Sequence, residues 1–249
     1  MRIWHQSCTE LDGLGVYRRT LDAHARAIVA TDCSVELHGI PAGRYRGRSP
    51  SSALGNAVRA EREGYDAFVL GSFSEPFLRE LRSAVDIPVV SLTEASLLVA
   101  CSLGRYIAPI SNAPTTAWMT QMSVESHGLN ARVLHAESIK PPLEEPALAR
   151  GFDDPVHVIA SFTQAAREAI ADGADVLIPA EGVMAELLWA NGVHSIDDCP
   201  VVDVFGAAWA WAEMMVKLRK RSGLAVGRAW HYRRADPALI HELTSEPQA

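Results

Sequence analysis

The sequence predicts an α/β fold built from parallel sheets. Short apolar runs rich in β-branched residues alternate along the chain with longer segments of helical period, which is the pattern of successive strand–helix–strand units. The strand candidates are residues 2–7, 34–38, 67–71, 89–91, 105–110, 132–135, 176–179 and 201–203. The main helix candidates are residues 14–29, 53–63, 75–84, 115–126, 156–171 and 207–219.

An internal repeat indicates two similar halves. Residues 64–72 read GYDAFVLGS and residues 173–181 read GADVLIPAE, and the two blocks align without gaps. Each block predicts a helix end, a turn and a buried strand. A second pair follows in the same order, since residues 87–90 read IPVV and residues 199–202 read CPVV. Any doubly wound protein can repeat one such block, but two blocks in the same order favour a repeated unit.

The repeat also indicates where a ligand would bind. Ser72 and Glu181 end the two matched blocks, directly after the predicted strands. In open parallel sheets, ligands bind beyond the carboxyl ends of the strands, where helix N-termini present unpaired N–H groups. If the two halves face one another across a pseudo-twofold axis, these two side chains oppose each other across a cleft.

The composition bounds the class of protein. A chain of 249 residues with 48% hydrophobic and 21% charged residues can bury a sizeable core. Its net charge of −7 gives no electrostatic footprint for nucleic acid, and no stretch approaches the roughly 20 apolar residues of a membrane span. Because the N-terminus shows no signal-peptide pattern, a cytoplasmic protein is expected. Cys8, Cys33, Cys101 and Cys199 form no metal-ligand or disulfide pattern, so no metal is expected.

Several segments together resemble the aspartate/glutamate/hydantoin racemase superfamily, which includes glutamate racemase, hydantoin racemase, maleate isomerase and arylmalonate decarboxylase. The segments that carry the resemblance are residues 1–3, 66–76, 87–90, 94–95, 103–105, 175–182 and 200–203. The resemblance implies two pseudo-symmetric flavodoxin-like halves, each a doubly wound parallel sheet, with the active site in the cleft between them and no cofactor. The first half is expected from residues 1–95 plus 205–222 and the second from residues 96–204, with a C-terminal extension at residues 223–249.

The resemblance departs from the family at the catalytic positions. Racemases of this superfamily use one cysteine from each half, because one thiol removes the α-proton while the other returns it from the opposite face. The matching positions here are Ser72 and Glu181, so the chain resembles a divergent member that lacks both catalytic cysteines. A serine hydroxyl is a poor base near neutral pH, and a symmetric two-thiol racemisation therefore cannot run.

The resemblance and the strand-end positions together give a set of candidate site residues. Glu181 is the expected general base, at a helix N-terminus that favours its ionised form; the alternative is an ordinary acid at a helix start. Ser72 is expected to donate a hydrogen bond to a carboxylate or enolate oxygen, and the alternative is a helix N-cap. The expected substrate-binding residues, each with turn or capping chemistry as its alternative, are Ser7, Cys8, Phe73, Ser74, Glu75, Thr93, Glu94, Ser111, Asn112, Gly182 and Asp203.

Three functions stay open at this level. The first is a cofactor-independent isomerase that moves a proton α to a carbonyl of a small carboxylate, hydantoin or lactam, with Glu181 as base and Ser72 as hydrogen-bond donor to the enolate. The second is a lyase or hydrolase on the same scaffold, acting by decarboxylation or by water attack on a cyclic amide. The third is a non-catalytic small-molecule sensor. The expected partners are a small molecule and further copies of the chain in a homo-oligomer, and neither nucleic acid nor membrane is expected.

Overall fold

The first part of the chain forms a parallel sheet covered by helices. The structure of the protein is a computed structural model that describes residues 1–40 and 49–244. The strands of this part are β1 (Arg2–Ser7), β2 (Ser34–His38), β3 (Ala67–Gly71) and β4 (Val89–Ser91). Its helices are α1 (Gly15–Ile28), α2 (Ser49–Arg62), α3 (Leu78–Ala84) and α4 (Leu92–Ala100). The sheet order is β2-β1-β3-β4, and every neighbouring pair is parallel.

The later part of the chain forms a second parallel sheet. Its strands are β5 (Ile107–Ser111), β6 (Glu137–Ser138) and β7 (Val176–Pro179), in the order β6-β5-β7, followed by a short antiparallel pair of β8 (Ser195–Ile196) and β9 (Cys199–Pro200). The helices are α5 (Pro114–Ser126), α6 (Glu145–Arg150), α7 (Val156–Ala171), α8 (Gly182–Ala190), α9 (Val204–Ser222) and α10 (Pro237–Thr244).

The strand bounds agree with the sequence pattern except at the edges of the second sheet. Five predicted strands have the predicted limits, and the one predicted at residues 105–110 is observed at residues 107–111. The strands predicted at 132–135 and 201–203 are reduced to single parallel bridges, from Val133 to Ile107 and from Val201 to Leu177. The second of these cannot extend far, because Pro200 has no N–H group and Asp203 already caps α9.

The two sheets are built alike, as the internal repeat predicts. With the bridges at Val133 and Val201 included, both sheets place their strands in the order second, first, third, fourth. The repeated aspartate has the same role in each sheet. Asp66 Oδ2 accepts the N–H of Arg2, the first residue of β1, at 2.8 Å, and Asp175 Oδ2 accepts the N–H of Tyr106, just before β5, at 2.9 Å. The aspartate of each repeated block therefore forms the same kind of hydrogen bond at the start of the central strand of its sheet.

The two sheets share an apolar core. Ile3 and Val69 pack with α1 and α9, whereas Trp4 and Phe68 pack with α2 and α3 on the opposite face of the first sheet. This alternation is the period-two pattern of a strand buried on both faces. The first of these cores continues into the second sheet, where it includes Val176. Helix α9 crosses back from the second sheet to pack on β3 and α4.

A search of residues 1–40 and 49–244 finds no helix that combines the length and the apolar character needed to cross a bilayer.

The turns that precede β3 and β7 each contain a glycine with a positive φ. Gly64 has a φ of 76° and Gly173 has a φ of 101°. We expect Gly173→Ala to lower the free energy of unfolding by about 1–3 kcal/mol, because an L side chain rarely adopts this conformation. Urea denaturation measures the change. Gly227→Ala is the matched control, since a Cβ atom there meets nothing within 4 Å and the φ is ordinary; equal stabilities of the two variants would contradict the account of the turn.

Candidate functional site

A cleft lies at the carboxyl ends of the central strands of both sheets. It has a volume of about 180 Å³. Its lining residues come from the ends of β1, β3, β5 and β7, from α1 and from α4, α5, α6 and α8. They are Cys8, Thr9, Tyr17, Gly71, Ser72, Phe73, Ser74, Leu92, Asn112, Thr116, Met119, Glu145, Leu148, Glu181 and Gly182. Ser72 and Glu181 therefore line one cleft, as their positions in the repeat predict.

Glu181 ends the buried strand β7 and begins α8. Its Oε1 accepts the N–H of Val183 at 3.0 Å, and its Oε2 accepts the N–H of Met184 at 2.7 Å. These donors favour the carboxylate, but burial outweighs them and raises the pKa of Glu181, with a further contribution from the negative charge of Glu145. The helix N-terminus therefore favours the ionised form, as expected, but burial determines the net direction of the shift. Glu181 is both a helix cap and a carboxyl group with a raised pKa on the cleft wall.

Ser72 follows β3 on the opposite wall. Its Oγ lies 3.0 Å from Oγ of Ser74, so one of these hydroxyls donates to the other, and the N–H of Ser74 lies 3.4 Å from the Ser72 oxygen. Helix α3 begins six residues later and has Phe77 at its N-cap. Ser72 therefore does not cap this helix, and its hydroxyl stays available to the cleft.

A strained loop holds Ser72 in place. Glu75 and Phe77 both have a positive φ, 48° and 60°, which costs a non-glycine residue on the order of 1–3 kcal/mol. The carbonyl of Phe73 accepts the hydroxyl of Thr93 at 2.9 Å and that of Ser123 at 3.1 Å. These two hydrogen bonds fix the residue next to Ser72 to helices α4 and α5.

Glu75 is the main anchor of this loop. Its Oε1 accepts the hydroxyl of Ser91 and the N–H of Glu94, the latter at 3.1 Å, while its Oε2 lies 2.7 Å from Nε2 of His127. The Glu75 side chain is 6% exposed. Glu94 in turn forms an ion pair with Arg82. The loop conformation therefore rests on a largely buried polar network behind the cleft.

Several residues predicted to contact substrate lie behind the cleft wall. Parallel strands bring many strand ends to one edge, but only the side chains that point into the cleft line it. The remaining predicted residues contact neighbouring parts of the protein. Ser7 accepts the N–H of Thr9, Ser111 donates to the carbonyl of Ala180, and Glu75 and Thr93 hold the loop after β3. Glu94 pairs with Arg82, and Asp203 contacts His24. Cys8, Phe73, Ser74, Asn112 and Gly182 line the cleft together with Ser72 and Glu181.

Two cleft residues with titratable side chains have no strong sequence signal. Tyr17 lies on α1, and its hydroxyl lies 3.4 Å from the place of a Cβ on Gly182. Burial raises the pKa of Tyr17 well above its ordinary value, with further contributions from Glu181 and Glu186, so the phenol keeps its proton. Glu145 begins the short helix α6, inside a proline-rich segment whose composition indicates only a surface loop. Only their positions in the folded chain identify them.

The lining of the cleft is acidic and carries an unused acceptor. The described lining residues include two carboxylates, Glu145 and Glu181, and neither lysine nor arginine. Asn112 donates from its amide to the carbonyl of Leu143 at 2.8 Å, while its Oδ1 is buried and has no hydrogen-bond partner among the described atoms. In the described residues, no group of three or more His, Cys, Asp or Glu side chains is placed to hold a metal ion.

Comparisons with known proteins agree on one family. The family model described as Asp/Glu/Hydantoin racemase matches residues 16–219. A hydantoin racemase of Pseudomonas sp. strain NS671 is 29% identical over 166 residues, which are 66% of this chain and 64% of that protein, slightly under two thirds of its length. A hydantoin racemase of Rhizobium meliloti is 24% identical over 200 residues, 78% of this chain and 76% of that protein.

Solved structures show the same fold. The allantoin racemase of Klebsiella pneumoniae superposes with a TM-score of 0.76 at 20% identity and covers 95% of this chain and 94% of that one. The allantoin racemase of Pseudomonas fluorescens gives a TM-score of 0.72 at 23% identity and covers 95% and 98%. At these identities the likeness concerns the two-sheet α/β architecture.

The network around Glu75 predicts a stability cost that a surface glutamate does not share. We expect Glu75→Gln to lower the free energy of unfolding by about 1–3 kcal/mol, because one amide cannot accept from Ser91, Glu94 and His127 as two carboxylate oxygens do. Glu80→Gln, on the exposed face of α3, is the control and should change stability by less than about 0.5 kcal/mol. Chemical denaturation measures the free energy of unfolding of both variants. Equal losses in Glu75→Gln and Glu80→Gln would show that Glu75 does not anchor the loop.

Proposed function

Because this chain belongs to the Asp/Glu/hydantoin racemase family, we propose that it catalyses cofactor-independent proton transfer at the carbon α to a carbonyl of a small cyclic ureide, the hydantoin class. The curated relatives named above are hydantoin racemases, and the two structural neighbours are allantoin racemases, whose substrate contains the same ring. Family membership supports the type of reaction, and the chemistry of the cleft supports the type of substrate.

The negative charge of the cleft is the main observation that supports a neutral substrate. A free amino acid or a malonate would bring a carboxylate towards Glu145 and Glu181, and the described lining residues offer it no lysine or arginine. A buried or partly buried anion without a cationic partner is unfavourable. A hydantoin ring is neutral and carries N–H donors and carbonyl acceptors, so it brings no further negative charge towards Glu145 and Glu181.

The proposed reaction begins at Glu181. Its carboxylate removes the proton from the ring carbon α to the carbonyl, and the electron pair of that C–H bond moves into the carbonyl to form an enolate. The raised pKa of Glu181 makes it a stronger base than an exposed glutamate. The hydroxyls of Ser72 and Tyr17 both face the cleft, and a hydrogen bond from Ser72 to the enolate oxygen stabilises the charge that develops there.

The return of the proton decides the stereochemical outcome. Reprotonation by Glu181 restores the starting enantiomer and exchanges the hydrogen with solvent. Reprotonation by a water molecule bound to the hydroxyls of Ser72 and Ser74 on the opposite wall gives the other enantiomer, and the proton that Glu181 releases to solvent neutralises the hydroxide left by this step. Because these two routes use different donors, isotope exchange is expected to be faster than racemisation, which distinguishes this cleft from a symmetric pair of thiols.

An adjoining cavity supports a substituted ring. It has a volume of about 500 Å³, and Ser74 and Met119 line both it and the cleft. Phe77, Trp118 and Met122 give it an apolar wall whose side chains are largely exposed. In the proposed complex, a benzyl or alkyl group on the α-carbon extends past Met119 and covers this wall. The contact is favourable because it removes apolar surface of both the substituent and the wall from water.

A hydrogen-exchange screen in heavy water tests the proposal. Hydantoin, 5-methylhydantoin, 5-benzylhydantoin, glutamate and methylmalonate are each incubated with the protein, and mass spectrometry and chiral chromatography follow the product. Deuterium incorporation into the hydantoins at unchanged chemical structure is the expected result. Loss of 44 mass units would indicate a decarboxylase, a gain of water would indicate a hydrolase, and binding without exchange would indicate a sensor; any of these would overturn the proposal.

Replacement of Glu181 tests its role as the base. We expect Glu181→Gln to lower kcat by at least about 100-fold, the scale of general acid–base catalysis, while KM changes much less. Cys8→Ala is the matched control, because Cys8 is the thiol on the cleft wall, and it should keep most of the activity. A Glu181→Gln variant that turns over normally but melts at a lower temperature would show that Glu181 is only a helix cap.

Replacement of Glu145 tests the electrostatic coupling in the cleft. The negative charge of Glu145 raises the pKa of Glu181, so Glu145→Gln lowers that pKa and keeps the base ionised to lower pH. We expect the acid limb of kcat/KM to move to lower pH, with a smaller loss of kcat than Glu181→Gln causes. Glu144→Gln, the exposed neighbour outside the cleft, should leave the pH profile unchanged. A shift to higher pH in Glu145→Gln would contradict the coupling.

A further inference from the structure

A buried histidine joins three helices behind the cleft. His24 on α1 places its Nδ1 2.8 Å from Oε2 of Glu186 on α8, and its Nε2 2.9 Å from Oδ2 of Asp203 at the start of α9. The His24 and Glu186 side chains are 0% exposed. The three residues lie far apart in sequence, so the contact exists only because α1, α8 and α9 pack together.

A doubly protonated ring fits this geometry, although burial also raises the pKa of Glu186. Each ring nitrogen faces a carboxylate oxygen, and only an imidazolium can donate to both. The ring is stacked on Trp189, with centroids 3.6 Å apart and planes 12° apart, and Trp209 meets it edge-on at 5.1 Å. One imidazolium between two carboxylates leaves a net negative charge in a mostly apolar surrounding. Such a group is costly to bury, and apolar side chains of similar size would pack at least as well.

The other titratable groups near His24 are few. Tyr17 shares α1 with it and is influenced by Glu186. His5 on β1 contacts Phe205 and Trp209, and its Nδ1 accepts the N–H of Trp209 at 3.2 Å. Burial lowers the pKa of His5 to about 3, so it stays neutral. Asp203 and Glu186 outweigh burial and raise the pKa of His24 to about 8.

The elements that His24 joins also carry the cleft residues. Helix α1 carries Tyr17 seven residues, or about two turns, before His24. Glu181 caps the N-terminus of α8, five residues before Glu186. The buried contact therefore fixes the helix that presents the phenol against the helix that presents the carboxylate.

We propose that His24 is a positioning residue: by binding Glu186 and Asp203 it holds α1 and α9 against α8 and keeps the Tyr17 hydroxyl beside the start of α8, where Glu181 lies. The inference rests on the proposed function, because Glu181 is the base only in that reaction. The contact of His24 with both Glu186 and Asp203 is complete while His24 is protonated. It weakens as the pH rises through the raised pKa of His24, near 8, and is fully present below the ordinary histidine pKa.

The test combines a pH profile with a structural measurement that needs no substrate. Glu186→Gln removes one of the two negative charges and keeps the shape of the side chain. We expect the alkaline limb of kcat to move to lower pH by at least about one unit, with KM nearly constant, because an opposite charge at this distance shifts a histidine pKa by that amount or more. Glu213→Gln is the matched control, a buried glutamate on α9 that accepts the N–H of Ala30 and touches neither His24 nor the cleft. It should leave the alkaline limb unchanged.

Amide hydrogen exchange reports on Glu181 directly. The N–H groups of Val183 and Met184 donate to Glu181, so displacement of α8 exposes them. At pH 8 these amides should exchange about tenfold faster in Glu186→Gln than in wild type or Glu213→Gln, and in wild type their protection should fall between pH 7 and 9 after correction for intrinsic exchange.

The two measurements separate failure of this inference from failure of the proposed function. If wild type exchanges no hydantoin hydrogen, the proposed function fails, while the amide measurement still decides whether His24 positions α8. If wild type is active and Glu186→Gln leaves both the alkaline limb and the amide protection unchanged, His24 is a packing residue and the inference is overturned. The wild-type pH series gives an answer even if Glu186→Gln does not fold.

Discussion

The two hydrogen bonds from the start of α8 to the Glu181 carboxylate are the interaction on which the arrangement of the site depends. They fix a carboxyl group at the end of β7, where the parallel arrangement of the second sheet directs it into the cleft. The hydroxyl of Ser111 donates to the carbonyl of Ala180, one residue before Glu181, and so ties that strand end to β5. Each of these bonds restricts where Glu181 can lie, and a base that is already oriented needs little reorganisation when the reaction begins.

The opposite wall is built for a different task. Ser72 stands in a loop whose backbone is strained at Glu75 and Phe77 and is held by buried hydroxyl and carboxylate contacts. Strain of this kind persists only where surrounding contacts determine the conformation. The two sheets are therefore similar, whereas the two walls of the cleft carry different side chains. One wall presents a proton acceptor and the other presents hydroxyl donors, which agrees with a one-base reaction better than with symmetric exchange between two equal groups.

The sequence predicts the strands and the strand-end pair well, because both follow from local pattern. β1 and β3 are short runs buried along almost their whole length, and the matched blocks place Ser72 and Glu181 at equivalent positions. It does not predict Tyr17 or His24, whose roles depend on partners from elements far along the chain. His24 and Glu186 are separated by 162 residues, and a single histidine on an amphipathic helix looks like any other core residue until packing brings two carboxylates to it.

The ionisation of Glu181 results from opposing effects that the fold keeps in balance. The N-terminus of α8 alone would lower its pKa and make it a weak base. Burial and the nearby charge of Glu145 act in the other direction and prevail. Because the described cleft residues supply no cation, a bound carboxylate would raise that pKa further and oppose formation of the base, whereas a neutral ring leaves the balance unchanged. In the proposed reaction, the acidic surroundings that raise the pKa of Glu181 would therefore also disfavour charged substrates, so one arrangement of charges would account for both reactivity and specificity.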